Sequence, residues 1–207
     1  MKVFLVRHGE TDWNAENRIQ GVYDIPLNEQ GLRQAAELSR RLRGERLRRV
    51  FSSNLSRSYG TALEIAKPHG LEVERDSRLA EISQGIWEGL LVEEARRMYG
   101  ERYARFEKDP ASCTPPSGES MESGFSRVRE FWADSRLGES GGDVVIVGHA
   151  AINAVIMCLM ERMRENDRGI LKIEFDQAMR RRLAEVWKSL PRNADITTLE
   201  LNGEQAA

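Results

Sequence analysis

Residues 3–10 read Val3-Phe4-Leu5-Val6-Arg7-His8-Gly9-Glu10, so polar and charged residues directly follow an apolar run. Four consecutive apolar residues, two of them β-branched, are typical of a short strand buried on both faces of a sheet. The same order recurs at Val144-Val145-Ile146-Val147-Gly148-His149. Because functional side chains gather at the carboxyl ends of the strands in open α/β sheets, we expect His8 and His149 to converge on one point.

Strand and helix signals alternate along the rest of the chain. Asn28 is a predicted N-cap for a helix over 29–42, in which Leu32, Ala35, Ala36 and Leu38 would share one face. Further strands are predicted over 49–52, 71–73, 143–147 and 196–201, and further helices over 55–66, 88–108, 122–135, 150–160 and 175–190. The alternation predicts an α/β fold of three layers, with a mostly parallel sheet flanked by helices.

Residues 83–120 fit this alternation poorly, and three of the six prolines fall within 109–120. We interpret residues 83–120, the cover segment, as a small helical and loop insertion that lies over one end of the sheet and over the active site. A chain of 207 residues is within the size range of one domain, so residues 1–207 are predicted to form a single domain that includes the cover segment.

Composition excludes several classes of protein. The net charge is −2, with 40% hydrophobic and 31% charged residues, as in ordinary globular domains. The basic runs at 40–49 and 180–182 lack neighbouring aromatic residues and are interpreted as solvated helix faces, so no nucleic-acid partner is expected. No apolar stretch reaches 18 residues, which predicts no membrane span. Cys113 and Cys158 form no disulfide framework and indicate a reducing, cytoplasmic compartment.

Positive charge is predicted to gather where the two histidines meet. Arg7 adjoins His8, and Arg57 lies early in the helix that follows the strand ending at Ser52. The N-terminus of that helix should open at the same edge of the sheet, and helix N-termini favour anions. Two arginines, two histidines and a helix N-terminus together favour a phosphoryl group as the ligand.

A metal site is the alternative. His8 and His149 with Glu81 or Asp24 could ligate zinc. The adjacent Arg7 would disfavour a cation, however, and the sequence has no His-x-His or His-x-x-x-His spacing. We therefore predict no metal and no other cofactor.

Further motifs lie in order along residues 1–155. The set comprises Val6-Arg7-His8-Gly9-Glu10-Thr11, Trp13-Asn14, Arg18-Ile19-Gln20-Gly21, Pro26-Leu27, Ser52-Ser53-Asn54-Leu55-Ser56-Arg57, Thr61-Ala62, Glu81-Ile82, Gly85, Trp87-Glu88-Gly89, Gly118-Glu119-Ser120 and Gly148-His149. A lone Arg-His-Gly is weak evidence, but the ordered set is specific. Together, these motifs resemble the histidine phosphatase superfamily, in its phosphoglycerate-mutase-like branch.

The resemblance implies catalysis through a phosphohistidine. His8 would be the nucleophile and Glu81 the general acid and base, while Arg7, Arg57 and a charged His149 would lower the pKa of His8 and stabilise the transferring phosphoryl group. Glu88 would be structural. The resemblance also assigns substrate contacts to Asn14, Gln20, Gly21 and the backbone N–H of Ala150.

The expected activity is hydrolysis of a small phosphorylated metabolite. The alternative is phosphoryl transfer of the phosphoglycerate-mutase type, but Trp87-Glu88-Gly89 and the compact cover segment resemble the phosphatases. An idle binding domain should have lost Arg7, His8 or Glu81, and none is lost.

Several features remain outside this assignment. Trp13 and Trp87 could wall the pocket, and His69 is interpreted as a surface turn residue. Ala150, Ala151 and Ala154 depart from the glycine, asparagine and arginine that many relatives carry there. The basic helix over 175–190 has no assigned function, and a homodimer contact is one option for it.

Overall fold

A computed structural model describes residues 1–137, 141–165, 170–190 and 193–201, with the main chain alone at residue 165. Five strands form one sheet in the order β3-β2-β4-β1-β5. The strands are β1 Lys2–Arg7, β2 Leu47–Ser52, β3 Val73–Arg75, β4 Asp143–Gly148 and β5 Ile196–Glu200. All neighbours pair in parallel except β5, which is antiparallel to β1. The predicted mostly parallel sheet is confirmed, although β3 begins two residues later than predicted.

The strand register brings the polar strand ends together. In the pair β1–β4, Arg7 lies opposite Gly148, and in the pair β2–β4, Ser52 lies opposite Val147. The residues that follow these three strands are therefore at the same edge of the sheet. The backbone N–H of His8 donates to Gly148 O at 3.1 Å and so continues the ladder one residue beyond β1.

Helices cover both faces of the sheet. They are α1 Asp12–Ala15, α2 Glu29–Leu42, α3 Ser56–Ala66, α4 Val92–Lys108, α5 Met121–Ser135, α6 Ala150–Glu165 and α7 Gln177–Trp187. Among the described residues, none of these helices combines the length and the apolar character that a membrane crossing requires.

Alternation along the strands builds two separate cores. On β4, Val145 and Val147 join the cluster formed with α2 and α3, whereas Val144 and Ile146 join the cluster formed with α5, α6 and α7. Successive side chains of a strand point to opposite faces, so an unbroken apolar run is required when both faces are covered. The three-layer arrangement is thereby confirmed.

Helix α2 has the predicted bounds and the predicted Asn28 cap, but its buried face is different. The buried positions are Gly31, Ala35, Leu38 and Leu42, whereas Leu32 is 54% exposed and Ala36 also faces solvent. The prediction for those two residues is wrong. The helix turns Gly31 inward because its backbone packs against the loop after β1, which leaves Leu32 on the outer side.

The cover segment packs around an aromatic cluster of its own. Trp87, Ala95, Tyr103 and Phe106 are buried together, and α4 is broken at Gly100, where φ is 43° and ψ is −118°. Backbone hydrogen bonds from Ile19 N to Leu90 O and from Gly89 N to Ile19 O tie the segment to the chain that follows α1.

Gly31→Ala should lower the melting temperature, although alanine is the better helix former by about 1 kcal/mol. A Cβ at this position would lie 2.1 Å from Glu10 O, which is a backbone atom and cannot move without displacing the loop after β1. Gly44→Ala is the matched control, because a Cβ there meets nothing within 4 Å. Thermal unfolding of both variants measures the effect. An unchanged or raised melting temperature for Gly31→Ala would contradict the packing.

Candidate active site

A cavity of about 210 Å³ opens at the carboxyl ends of the strands. Seven of the nine predicted site residues line it: Arg7, His8, Asn14, Gln20, Gly21, Arg57 and Glu81. His149 lies behind His8, with 5.1 Å between the ring centroids, and Ala150 begins α6 immediately after it. The structure thus brings the predicted residues together from β1, α3, β4 and the loops at this edge.

The hydrogen bonds of His8 define its tautomer. Its Nδ1 lies 2.7 Å from Gly9 O, which can only accept, so Nδ1 carries the proton. Its Nε2 lies 3.2 Å from Arg57 Nε, which can only donate, so Nε2 presents its lone pair. His8 is 3% exposed and lines the cavity.

Charge and burial keep the His8 imidazole neutral. Burial is the largest cause that lowers its pKa well below the usual 6.5, and the positive charges of Arg57 and Arg7 act in the same direction. The hydrogen bond to Gly9 O opposes them only in part. A neutral imidazole is the form that can act as a nucleophile.

Arg57 is a buried cation held mainly by backbone carbonyls. It is 1% exposed and donates to Tyr23 O at 2.7 Å and Gly21 O at 2.8 Å, in addition to His8. Burial lowers the pKa of its guanidinium to about 10, so it stays charged at neutral pH. Three of its five N–H groups are used in these contacts, which leaves donors for an anion.

The loop that receives Arg57 depends on Gly21 and Glu88. Gly21 has φ +52°, and a Cβ there would lie 2.0 Å from Glu88 Oε1. That same oxygen accepts hydrogen bonds from Val22 N at 3.1 Å and Gln84 N at 2.8 Å. Glu88 therefore joins the cover segment to the loop and has the structural role predicted for it.

His149 is neutral, and the prediction of a charged His149 is wrong. Its ring is fully buried, and burial together with Arg57 lowers its pKa well below 6.5. Its Nε2 lies 2.9 Å from Ser53 Oγ and 3.3 Å from Ser58 Oγ. Its Nδ1 has no hydrogen-bond partner within the described part of the chain.

Glu81 lies at the N-terminus of α6. Its Oε2 accepts from Ala151 N at 3.2 Å, and its Oε1 accepts from Ile152 N at 3.3 Å and Ile82 N at 3.0 Å. The first amides of a helix have no partner within the helix, so a carboxylate is a suitable acceptor for them. These contacts hold the carboxylate at the cavity wall.

Two supporting interactions escaped the sequence analysis. Asn193 Nδ2 donates to Asn14 Oδ1 at 2.9 Å, across 179 positions of sequence. Arg127 donates to Glu81 O at 3.2 Å and forms an ion pair with Glu119 at 2.8 Å. Glu119 belongs to the quoted Gly118-Glu119-Ser120 motif, which could have suggested such a role, whereas nothing in the sequence marks Asn193.

The tryptophan of the cavity wall is not the one expected. Trp87 is buried in the core of the cover segment, and Trp13 packs against Tyr23, with 5.4 Å between the ring centroids. Trp187, at the end of α7, lines the cavity instead. The basic helix of the sequence analysis thus contributes to the site, and the predicted wall of Trp13 and Trp87 is wrong.

The residues named for a metal site have other contacts. Asp24 Oδ1 accepts from Ser56 N at 2.6 Å, at the start of α3. Over the ranges that the structure describes, no group of three or more His, Cys, Asp or Glu side chains is arranged to hold a metal ion.

Comparison with known proteins identifies the family. The sequence profile of the histidine phosphatase superfamily (branch 1) matches residues 3–174. The chain belongs to this superfamily. The resemblance carried by the motifs is thereby confirmed.

Similar proteins include phosphatases and mutase-like proteins. Phosphoserine phosphatase 1 of Hydrogenobacter thermophilus is 39% identical over 160 residues, which cover 77% of this chain and 76% of that protein. Phosphoglycerate mutase-like protein 4 of Arabidopsis thaliana is 38% identical over 177 residues, which cover 83% and 75%.

Among solved structures, a mycobacterial glucosyl-3-phosphoglycerate phosphatase in complex with VO3 aligns with a TM-score of 0.79 at 27% identity, covering 99% of this chain and 94% of that one. A phosphoserine phosphatase mutant from Entamoeba histolytica in complex with phosphoserine aligns with a TM-score of 0.73 at 26% identity, covering 98% and 92%. Together with the family match, these relatives support phosphatase activity for this chain.

Acidification should destabilise the folded protein before its carboxylates titrate. The pKa values of His8 and His149 are lowered by folding, so below about pH 6.5 the unfolded chain binds protons that the folded one does not. The free energy of unfolding should therefore fall between pH 7.5 and 5.5, by about 1 kcal/mol for each histidine.

Urea unfolding at 25 °C in phosphate-free buffers measures this dependence. His149→Gln should remove about half of it, because one of the two buried imidazoles is gone. A free energy of unfolding that is the same at both pH values would contradict the buried neutral histidines.

Proposed function

We propose that this protein is a metal-independent phosphomonoester hydrolase that acts on a small phosphorylated metabolite through a phosphohistidine at His8. The observation that carries the proposal is the pair of contacts on the His8 ring. Gly9 O holds the proton on Nδ1, and Arg57 keeps the lone pair on Nε2 beside a cation that can bind the phosphoryl group. The nucleophilic nitrogen of His8 and the guanidinium that would bind the phosphoryl group are therefore in direct contact.

In the first half-reaction, His8 Nε2 attacks phosphorus and the ester P–O bond breaks. The leaving oxygen takes its proton from the Glu81 carboxyl group, and Arg7 and Arg57 stabilise the charge on the equatorial oxygens. In the second, water attacks phosphorus, its proton passes to Glu81, and the N–P bond breaks to release inorganic phosphate. Each half-reaction leaves Glu81 in the protonation state that the other requires.

His149 takes part as a neutral donor. Ser53 Oγ accepts from Leu55 N and can donate its own hydrogen to His149 Nε2, which places the ring proton on Nδ1. The Nδ1–H group would then bind a phosphoryl oxygen. Asn14, Gln20, Gly21 and the N–H of Ala150 are proposed as further substrate contacts.

A cytoplasmic location fits the same proposal. Both cysteines of the chain, Cys113 and Cys158, are free thiols. Unpaired cysteines are usual in reducing compartments.

His8→Ala should abolish hydrolysis of p-nitrophenyl phosphate in the presence of EDTA, because the variant lacks the proposed nucleophile. His69→Ala is the matched control, since His69 lies in a turn after α3 and outside the cavity, and it should keep full activity. Full activity of His8→Ala would overturn the proposal, and loss of wild-type activity in EDTA would overturn metal independence.

Rapid quenching with 32P-labelled substrate should trap label on the wild type and not on His8→Ala. In a hydrolase the label passes quickly to water. A phosphohistidine that resists hydrolysis and passes its phosphoryl group to another hydroxyl would instead support the mutase alternative. The similarity to a mutase-like protein is the reason for testing that alternative.

Glu81→Gln should lower kcat/KM for alkyl phosphates by about 10²- to 10⁴-fold, since an alkoxide cannot leave without a proton. The loss should be much smaller for p-nitrophenyl phosphate, whose phenolate leaves unprotonated. Steady-state kinetics on both substrates measures the difference. Equal losses would show that Glu81 does not act as the acid.

A further inference from the structure

The cavity extends beyond the residues assigned to the phosphoryl group. Its remaining wall comes from the cover segment and from α7, and includes Gln84, Tyr103, Phe106 and Trp187. These four residues, the distal wall, have no role in the mechanism above. Trp187 also lies outside residues 3–174, the part of the chain that the family profile matches.

Two members of the distal wall, Tyr103 and Gln84, add polar side chains to the cavity lining. Tyr103 is 6% exposed and lines the cavity. Burial raises the pKa of this phenol to about 12, so the hydroxyl keeps its proton. Gln84 is 8% exposed, and among the described residues its side chain makes one hydrogen bond, a long contact of 3.5 Å from Nε2 to Ile82 O. A hydroxyl and an amide in the wall of a cavity can hydrogen-bond the polar groups of a ligand.

The other two members supply an aromatic surface of fixed orientation. The rings of Phe106 and Trp187 meet edge to face with 5.9 Å between centroids. Trp187 Nε1 donates to Glu107 O at 3.1 Å, so its one polar atom is already used and the ring itself faces the cavity. The same bond fastens α7 to the cover segment.

The positive charge of Arg18, at this end of the cavity, is already paired with a carboxylate of the protein. Arg18 also lines the cavity, but its Nε and one terminal nitrogen both lie 2.9 Å from Glu16 Oε2. Its other terminal nitrogen donates to Gly89 O at 2.7 Å. A second anionic group on a substrate would have to compete with Glu16 for this guanidinium.

We propose that the distal wall is the leaving-group subsite and that it selects a small, uncharged, hydroxyl-bearing alcohol, such as a polyol or a sugar unit. This inference rests on the proposed phosphatase function. Gln84 and Tyr103 are the specificity-determining residues that hydrogen-bond the hydroxyl groups, and Phe106 and Trp187 pack against the carbon skeleton. The volume of about 210 Å³ is below the 300–1,000 Å³ of typical ligand pockets, which favours a small alcohol.

The test compares three phosphate esters of similar size on the full-length enzyme. Glycerol 3-phosphate carries two hydroxyl groups, propyl phosphate carries none, and 3-phosphoglycerate carries a carboxylate. The wild type should show a kcat/KM for glycerol 3-phosphate at least tenfold above the other two, because a site that hydrogen-bonds a hydroxyl rejects the analogue that lacks it.

Tyr103→Phe and Gln84→Met should each lower kcat/KM for glycerol 3-phosphate about three- to tenfold more than kcat/KM for propyl phosphate. Tyr99→Phe is the matched control, because it removes a hydroxyl from the same helix at a residue that contacts Trp87 but does not line this cavity. It should change neither substrate. Inhibition by inorganic phosphate should be equal in all variants, which shows that the phosphoryl end is intact.

Equal kcat/KM for the three esters, a preference for 3-phosphoglycerate, or variants that affect all three esters equally would overturn the inference. These outcomes are distinct from failure of the proposed function. If the wild type hydrolyses the esters and His8→Ala does not, the function stands and only the subsite assignment fails. If His8→Ala hydrolyses them, the function itself fails.

Discussion

The site depends on the contact between Arg57 Nε and His8 Nε2. A guanidinium 3.2 Å from an imidazole nitrogen, both almost fully buried, excludes the imidazolium form. The interaction keeps the lone pair available and places beside it the cation that a phosphoryl group needs. Its cost is a buried positive charge, which the protein offsets with Gly21 O and Tyr23 O rather than with a carboxylate in direct contact. The guanidinium of Arg57 is therefore not neutralised by a contacting carboxylate, and its positive charge can bind an anionic substrate.

Much of the surrounding backbone is packed to keep this pair in place. Gly9 and Gly31 approach so closely that a Cβ on Gly9 would lie 2.6 Å from Gly31 O, and the loop that receives Arg57 closes over Gly21 against Glu88. The ring of His149 lies 5.1 Å from that of His8 between centroids, and its Nε2 is held by Ser53 and Ser58. Most of these contacts join segments that are far apart in the chain, so composition and periodicity do not predict them.

The local sequence pattern predicted the strands and helices well. It predicted the charge and the solvent exposure of individual side chains less well. The runs before His8 and His149 are strands, and the Asn28 cap begins α2, because short-range propensities and caps act within a few residues. The charge of His149 and the exposure of Leu32 were predicted wrongly. Burial among arginines decides the first, and a backbone contact with the loop after β1 decides the second. Both are consequences of packing between distant segments.

By itself, the sequence determined the alternation of strands and helices, the family, and which residues could meet at the edge of the sheet. The motifs at Arg7, Ser52 and Gly148 carry that information because each lies at the carboxyl end of a strand of the sheet. Only the tertiary structure decided the His8 tautomer, the neutral state of His149, and the position of Trp187 beside the cover segment. Hydrogen-bond partners and burial are relations between segments that in this site lie as much as 185 residues apart, so they exist only once the chain has folded.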